Sequence, residues 1–276
     1  MPSFICSACG TSYPPSEKPP ANCPICEEER QLVPEAGQSW TTPQGLAARH
    51  LNAFREYEPG IIGIGSRPQF GIGQRALLVC TPHGNVLWDC ISLLDAATIT
   101  LIKGLGGLKA IAISHPHFYS SMGDWSRAFG DIPIYLHGAD RKWIMRPEPS
   151  IIFWEGDTQE VLPGVTLVRT GGHFPGASVL HWAGGANGRG VLLTADTATI
   201  TLDRKYFTFM RAYPNFIPLS PREVEAIGTA LAPYPFDAAY GHFFDRVIPA
   251  QAKEIFELSI ERYLAAIAGT ARPNGE

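Results

Sequence analysis

The chain has 276 residues, room for one large domain or a domain with a small module, and a hydrophobic fraction of 45% is ample for a core. A net charge of −4 and a pI near 6.1 give no electrostatic basis for a nucleic-acid or anionic-membrane partner. No run approaches the ~20 apolar residues of a membrane span, and the N-terminus, Met-Pro-Ser-Phe-Ile-Cys, lacks the basic and apolar regions of a secretory signal, so a cytoplasmic protein is expected.

Residues 1–30 read as a separate unit. Cys6-Ser7-Ala8-Cys9 and Cys23-Pro24-Ile25-Cys26 are two Cys-x-x-Cys knuckles with 13 residues between them. Four thiolates so arranged suit one tetrahedral Zn²⁺, and in a reducing compartment they are more readily ligands than disulfides. The segment is too short for a core of its own, so metal binding would supply its folding free energy. The pattern resembles a rubredoxin-like zinc ribbon, and iron fits the same four sulfurs. Residues 1–60 carry four Lys/Arg against seven Glu, the wrong sign for gripping phosphates. A structural role or a protein partner contacted through the ribbon is the better expectation.

Residues 31–59 read as a linker and a helix. Thr42-Pro43 looks like an N-cap with proline at the first helical position, and Ala47, His50, Leu51 and Phe54 recur at helical spacing. Beyond residue 60 the chain alternates. Strands are expected at 61–65, 75–81 and 86–89, with Gly84-Asn85 as a hairpin turn before the third. A helix follows at 95–103, a buried strand at 109–113, and a short helix at 123–129. Strands are expected at 132–136, 165–169, 178–182, 190–194 and 236–240, and helices from 139, over 221–232 and over 249–267. Two sheet-forming halves with helices on each indicate an α/β (α+β) fold, an αββα sandwich.

Metal-ligand types fall at strand ends. The run 109–113 empties into Ser114-His115-Pro116-His117, two imidazoles one residue apart on a proline-stiffened loop. His173, Asp196 and His242 likewise follow apolar strands, whereas His50, His83 and His181 do not. Open α/β folds place their sites at the carboxyl ends of strands. Imidazole suits zinc and iron alike. His137 reads as structural.

These motifs resemble the metallo-β-lactamase fold superfamily over residues 60–270, in a domain expected at 60–276. Gly172-His173-Phe174-Pro175-Gly176 is similar to its Gly-His-x-x-Gly loop, Thr194-Ala195-Asp196-Thr197 to its Gly-Asp-Thr loop, and Gly241-His242 to its last histidine. Leu87-Trp88-Asp89-Cys90 is similar to the strand whose Asp braces the site. The resemblance implies that His115, His117 and His173 hold a first metal, that Asp196 bridges or orients, and that His242 belongs to a second site. The family's His-x-His-x-Asp-His is here His115-Pro116-His117-Phe118-Tyr119-Ser120, without the Asp and third His that hold the second metal. One active-site metal is therefore expected, besides that of the ribbon. Tyr119 either donates to an oxyanion or fills the vacated space.

The expected function is a metal-dependent hydrolase of a small-molecule substrate with a mononuclear zinc site. Two alternatives stand beside it. His115, His173 and Asp196 also make a two-His, one-carboxylate set suited to iron, as in the superfamily's thiol dioxygenases. The third reading is a non-catalytic scaffold acting through the ribbon.

Overall fold

A computed structural model describes residues 1–270. Strand side chains alternate between faces, and here both faces carry apolar residues, so each sheet is covered on both sides. In the second sheet Val165, Leu167, Leu180, Val191, Leu193 and Tyr240 face the first sheet. Their neighbours Val168, Val179, Leu192 and Ala239 face the opposite way, against Val224, Ile227 and Leu231 of the helix Pro221–Leu231 and Phe256 of the helix Ala252–Ile267. Ile102 of Ala96–Gly104 and Met122 and Trp125 of Met122–Ala128 pack on the first sheet. The result is the αββα sandwich.

The first sheet has seven strands in chain order: Leu51–Glu58, Ile61–Arg67, Ala76–Thr81, Gly84–Trp88, Ala110–Ala112, Ile134–His137 and Ile151–Trp154. Its first four strands are antiparallel neighbours, and pairing turns parallel from Gly84–Trp88 onward. The second sheet runs Thr158–Leu162, Val165–Arg169, Ser178–Trp182, Val191–Ala195, Ala238–Gly241 and Val247–Ile248, with one parallel pair, Val191–Ala195 beside Ala238–Gly241. Among the described residues no helix is long and apolar enough to cross a membrane.

Three sequence expectations are corrected. The helix after Thr42 is Pro43–Ala47 only, and residues 51–58 form the edge strand of the first sheet, paired from Leu51 with Arg67 to Glu58 with Ile61. Asn52 on that strand donates to Leu93 O and Thr98 Oγ1. Long-range pairing thus overrides a local apolar spacing that matches a helix. The hairpin turn is Pro82-His83 rather than Gly84-Asn85, because Thr81 already pairs with Gly84. The Asn85 side chain instead donates to Leu105 O and Gly107 O, tying down the loop before the next strand. The C-terminal helix, expected over 249–267, is Ala252–Ile267; Phe256 is buried on it and Ile267 at its end is 43% exposed.

The N-terminal segment lies against the rest of the chain. Ile5–Cys6 pairs with Trp40–Thr41, Ser12 N donates to Ser120 O, and Ser92 Oγ donates to Gly10 O. Arg146 bridges Ser12 Oγ and Asp124. The Sγ atoms of Cys6 and Cys26, and of Cys9 and Cys23, are 3.6 Å apart. A zinc–sulfur bond of about 2.3 Å gives a tetrahedral edge of about 3.8 Å, whereas a disulfide needs about 2.05 Å. The cysteines are free thiols gathered within 4.8 Å of one another, an arrangement that fits a metal and not two disulfides.

Candidate metal centre

The strand Ala110–Ala112 delivers the first two imidazoles. His115 is extended (φ −169°) and caps a single 3-10 turn, Pro116–Phe118, with proline at its first position. That turn reverses the chain tightly enough to bring His117 Nδ1 to 3.3 Å from His115 Nε2. His173 arrives on a loop closed by Thr170 N and Gly171 N, both donating to Ala177 O. Gly172 there has φ +74°, and a Cβ on it would stand 2.7 Å from Leu219 Cδ1, so the loop needs glycine on both counts. His173 Nε2 lies 3.3 Å from His117 Nδ1. Asp196 follows Val191–Ala195, and its Oδ2 is 3.2 Å from His115 Nε2 and 3.8 Å from both His117 Nδ1 and His173 Nε2.

Zinc bonds of about 2.0–2.2 Å to nitrogen and carboxylate oxygen imply a tetrahedral edge of about 3.3–3.6 Å. The observed separations bracket that edge. The hydrogen-bonding behind the ring atoms decides what faces inward. Asp89 Oδ1 accepts from Ser114 N and from Ser114 Oγ, both at 2.8 Å. With its hydrogen so committed, Ser114 Oγ accepts from His115 Nδ1, 2.9 Å away. His173 Nδ1 donates to Met210 O at 3.1 Å. Both rings therefore turn unprotonated Nε2 atoms toward each other and toward the Asp196 carboxylate.

Electrostatics agree. Burial pushes His115 down to about 4 and His173 well below the usual imidazole range, so both are neutral near pH 7. Burial alone would raise the Asp196 carboxyl; the histidines around it, His242 first, hold it well below the usual carboxylate range. Lone pairs converging on an anion repel unless a cation lies among them, so the donor set fits a metal ion.

His242 stands beside this group rather than in it. Its Nδ1 donates to Ala195 O at 3.0 Å and lies 2.8 Å from Asp196 Oδ1, but its hydrogen points at the carbonyl, leaving Asp196 Oδ1 buried without a donor. His117 Nε2 is likewise buried without a partner. Tyr119 lies elsewhere: it is buried in the main core and faces a small cavity with Thr11, Ser12 and Met145. His137 Nδ1 accepts from Ala139 N, a structural cap. Of the aromatic residues near these loops, Trp88, Phe118 and Trp125 are core, while Phe174 packs face-on to His115, 5.6 Å between centroids.

Above the cluster opens a cavity of about 710 Å³, with His117, His173, Asp196 and His242 in its lining. Two contributors were not legible in the sequence. Arg30 donates through Nε to His173 O at 2.5 Å, lies over the Phe174 ring at 4.4 Å and pairs with Glu28. Tyr213 Oη donates to Asp196 O at 2.9 Å. Arg30 is 143 residues from His173, and no local spacing announces such a contact. Ser114 had a signal, its place between the strand and His115.

No family model matches the chain. The Bacillus subtilis (strain 168) protein YmaE, itself described as uncharacterized, is 42% identical over 269 residues, 97% of each chain. Among solved structures, VMB-1 superposes with a TM-score of 0.58 at 15% identity, over 78% of this chain and 98% of its own. The DIM-1 metallo-β-lactamase gives 0.55 at 13% identity, over 80% and 98%. A variant of the sec-alkyl sulfatase PisA1 gives 0.53 at 13% identity, over 78% of this chain but 42% of that one. At such identities the likeness is one of fold. The chain has the metallo-β-lactamase fold, and it belongs to the family of YmaE.

Proposed function

We propose that this protein is a metal-dependent hydrolase of small molecules, with one active-site metal on His115, His117, His173 and Asp196 and a structural metal on Cys6, Cys9, Cys23 and Cys26. The observation that carries the reading is the facing of two Nε2 atoms, each left unprotonated because Ser114 Oγ or Met210 O takes the Nδ1 hydrogen behind it, and one carboxylate. Zinc in that set supplies a Lewis-acid centre that acidifies water to a pKa near ~7 and polarises a carbonyl.

The chain's own residues do the rest. Asp196 Oδ1, buried and without a donor, is the acceptor that orients an attacking water. His242 has its Nδ1 hydrogen on Ala195 O, so its other nitrogen is left to take or return a proton at the cavity floor. Tyr213, kept protonated by burial, holds the Asp196 backbone through Oη. A second metal would find only Asp196 Oδ1 and His242 here, too few to bind zinc tightly. The ribbon's many contacts with its own chain support a structural role.

Elemental analysis of protein purified without added metal tests the reading. Two zincs per chain, with one lost in His115→Ala and the other in Cys6→Ser, is the expected result. Iron in the histidine site would instead favour the oxidoreductase alternative. No metal lost in His115→Ala would remove the basis for any metal chemistry there.

A further inference from the structure

The cavity over the metal cluster has a polar floor and apolar walls. Ala8, Leu32, Ile72, Ile200, Leu202 and Phe243 are among the residues of its walls. Leu32 is 48% exposed and Leu202 83% exposed, so apolar surface continues outward at the mouth. Both are held in place. The strap carrying Leu32 is pinned by Asn215 Nδ2 donating to Glu29 O at 2.6 Å and by the Arg211–Glu29 ion pair. Leu202 sits at the tip of a hairpin closed by Thr201 N to Tyr206 O at 2.9 Å and by Thr201 Oγ1 to Asp203 Oδ1 at 2.6 Å.

Away from the metal ligands, the side-chain charges of the cavity offer no hold for an anionic group. Apart from Asp196, its charged lining groups are Arg30 and Arg246, and each is paired, with Glu28 and Asp245. Recognition of a phosphate or a polyanion needs uncommitted cations. A volume of about 710 Å³ is that of a small-molecule site.

Resting on the hydrolase reading above, we infer that the substrate is an acyl ester with an extended, uncharged hydrocarbon arm: its carbonyl lies on the histidine floor and its arm packs along the apolar wall that carries Leu32 and Leu202. Hydrolysis adds the oxygen of water to the carbonyl carbon and breaks the bond from that carbon to the leaving oxygen. One water proton goes to the leaving alkoxide, giving an alcohol and a carboxylic acid, with no change of oxidation state.

The test is a series of p-nitrophenyl acyl esters from acetyl to decanoyl on the zinc-loaded full chain. Binding of methyl alkyl ketones of matching length, which cannot be hydrolysed, is measured by calorimetry on the same protein. Burial of each methylene is worth about threefold to fourfold, so both kcat/KM and ketone affinity should rise by about that factor per carbon. Leu202→Asp and Leu32→Asp, at exposed positions the fold tolerates, should flatten both slopes. Leu258→Asp, on an exposed position of the C-terminal helix, should leave them steep. Cleavage with a flat dependence on chain length overturns the inference and leaves the hydrolase reading standing. Ketone affinity that rises with length, without cleavage of any ester, supports the apolar-arm site and refutes ester hydrolysis. Flat ketone binding, or slopes unmoved by both aspartate variants, overturns the inference.

Discussion

Replacing Arg30 by methionine removes a charge but keeps most of the side chain's length. Three interactions vanish: the Nε–H donation to His173 O at 2.5 Å, the guanidinium over Phe174 at 4.4 Å and the ion pair with Glu28. A hydrogen bond from a charged donor contributes about 1.5–3 kcal/mol, and a desolvated cation–π contact about 2 kcal/mol. Against these stands the cost of burying the guanidinium, which is 7% exposed and whose pKa burial lowers. The net loss should be about 2 kcal/mol, or about 5 °C in the melting temperature of a chain this size. The same change frees the backbone of the residue that presents His173 Nε2. Outer contacts of this kind are typically worth about 10–100-fold in metal affinity. Differential scanning calorimetry and competition with a chromogenic chelator read the two effects separately. A variant melting within about 1 °C of wild type, with unchanged metal affinity, would refute the argument that Arg30 secures the His173 loop.

Ser114→Ala deletes the hydroxyl between Asp89 and His115 and should weaken active-site metal by about tenfold or more in the same chelator assay, with the ribbon metal unaffected. Asp140 is buried, and burial raises its carboxyl to about 6 while its Oδ1 accepts from Gly176 N. A carboxyl whose folded pKa lies above its unfolded value costs stability as pH rises through that interval. Asp140→Asn, which keeps the acceptor, should therefore stabilise the fold by up to about 3 kcal/mol at pH 7.5 and by nothing below about pH 4, read from urea midpoints at both pH values. Cys6→Ser should lower total metal by one ion and weaken Arg30's hold on His173, so the Arg30→Met and Cys6→Ser losses in active-site metal affinity should be less than additive.

The sandwich was legible because its strands are apolar runs of the right length bounded by glycine and proline, and the site because each candidate ligand ends such a run. Residues 51–58 misled because their apolar spacing fits a helix locally, and only pairing with Ile61–Arg67 makes them a strand. Ile151–Trp154, four apolar residues, and Thr158–Leu162, polar over its first three, are short edge strands without an alternating pattern, and neither was assigned from sequence. Tyr119 was singled out by its place in a motif, yet the chain carries it into the core, while Tyr213, in no motif, meets Asp196. Motif position constrains the backbone; which side chain fills the chamber depends on loops that meet from far along the chain.

Six of the residues around the chamber, Ser7, Ala8, Arg30, Gln31, Leu32 and Pro34, precede the two-sheet sandwich altogether. A fragment trimmed to residue 51 onward would retain both sheets, the three imidazoles and the carboxylate but stand open on one flank, with His173 unbraced by Arg30. The sandwich thus carries the metal ligands, while part of the chamber wall that selects a ligand is borrowed from the segment before it.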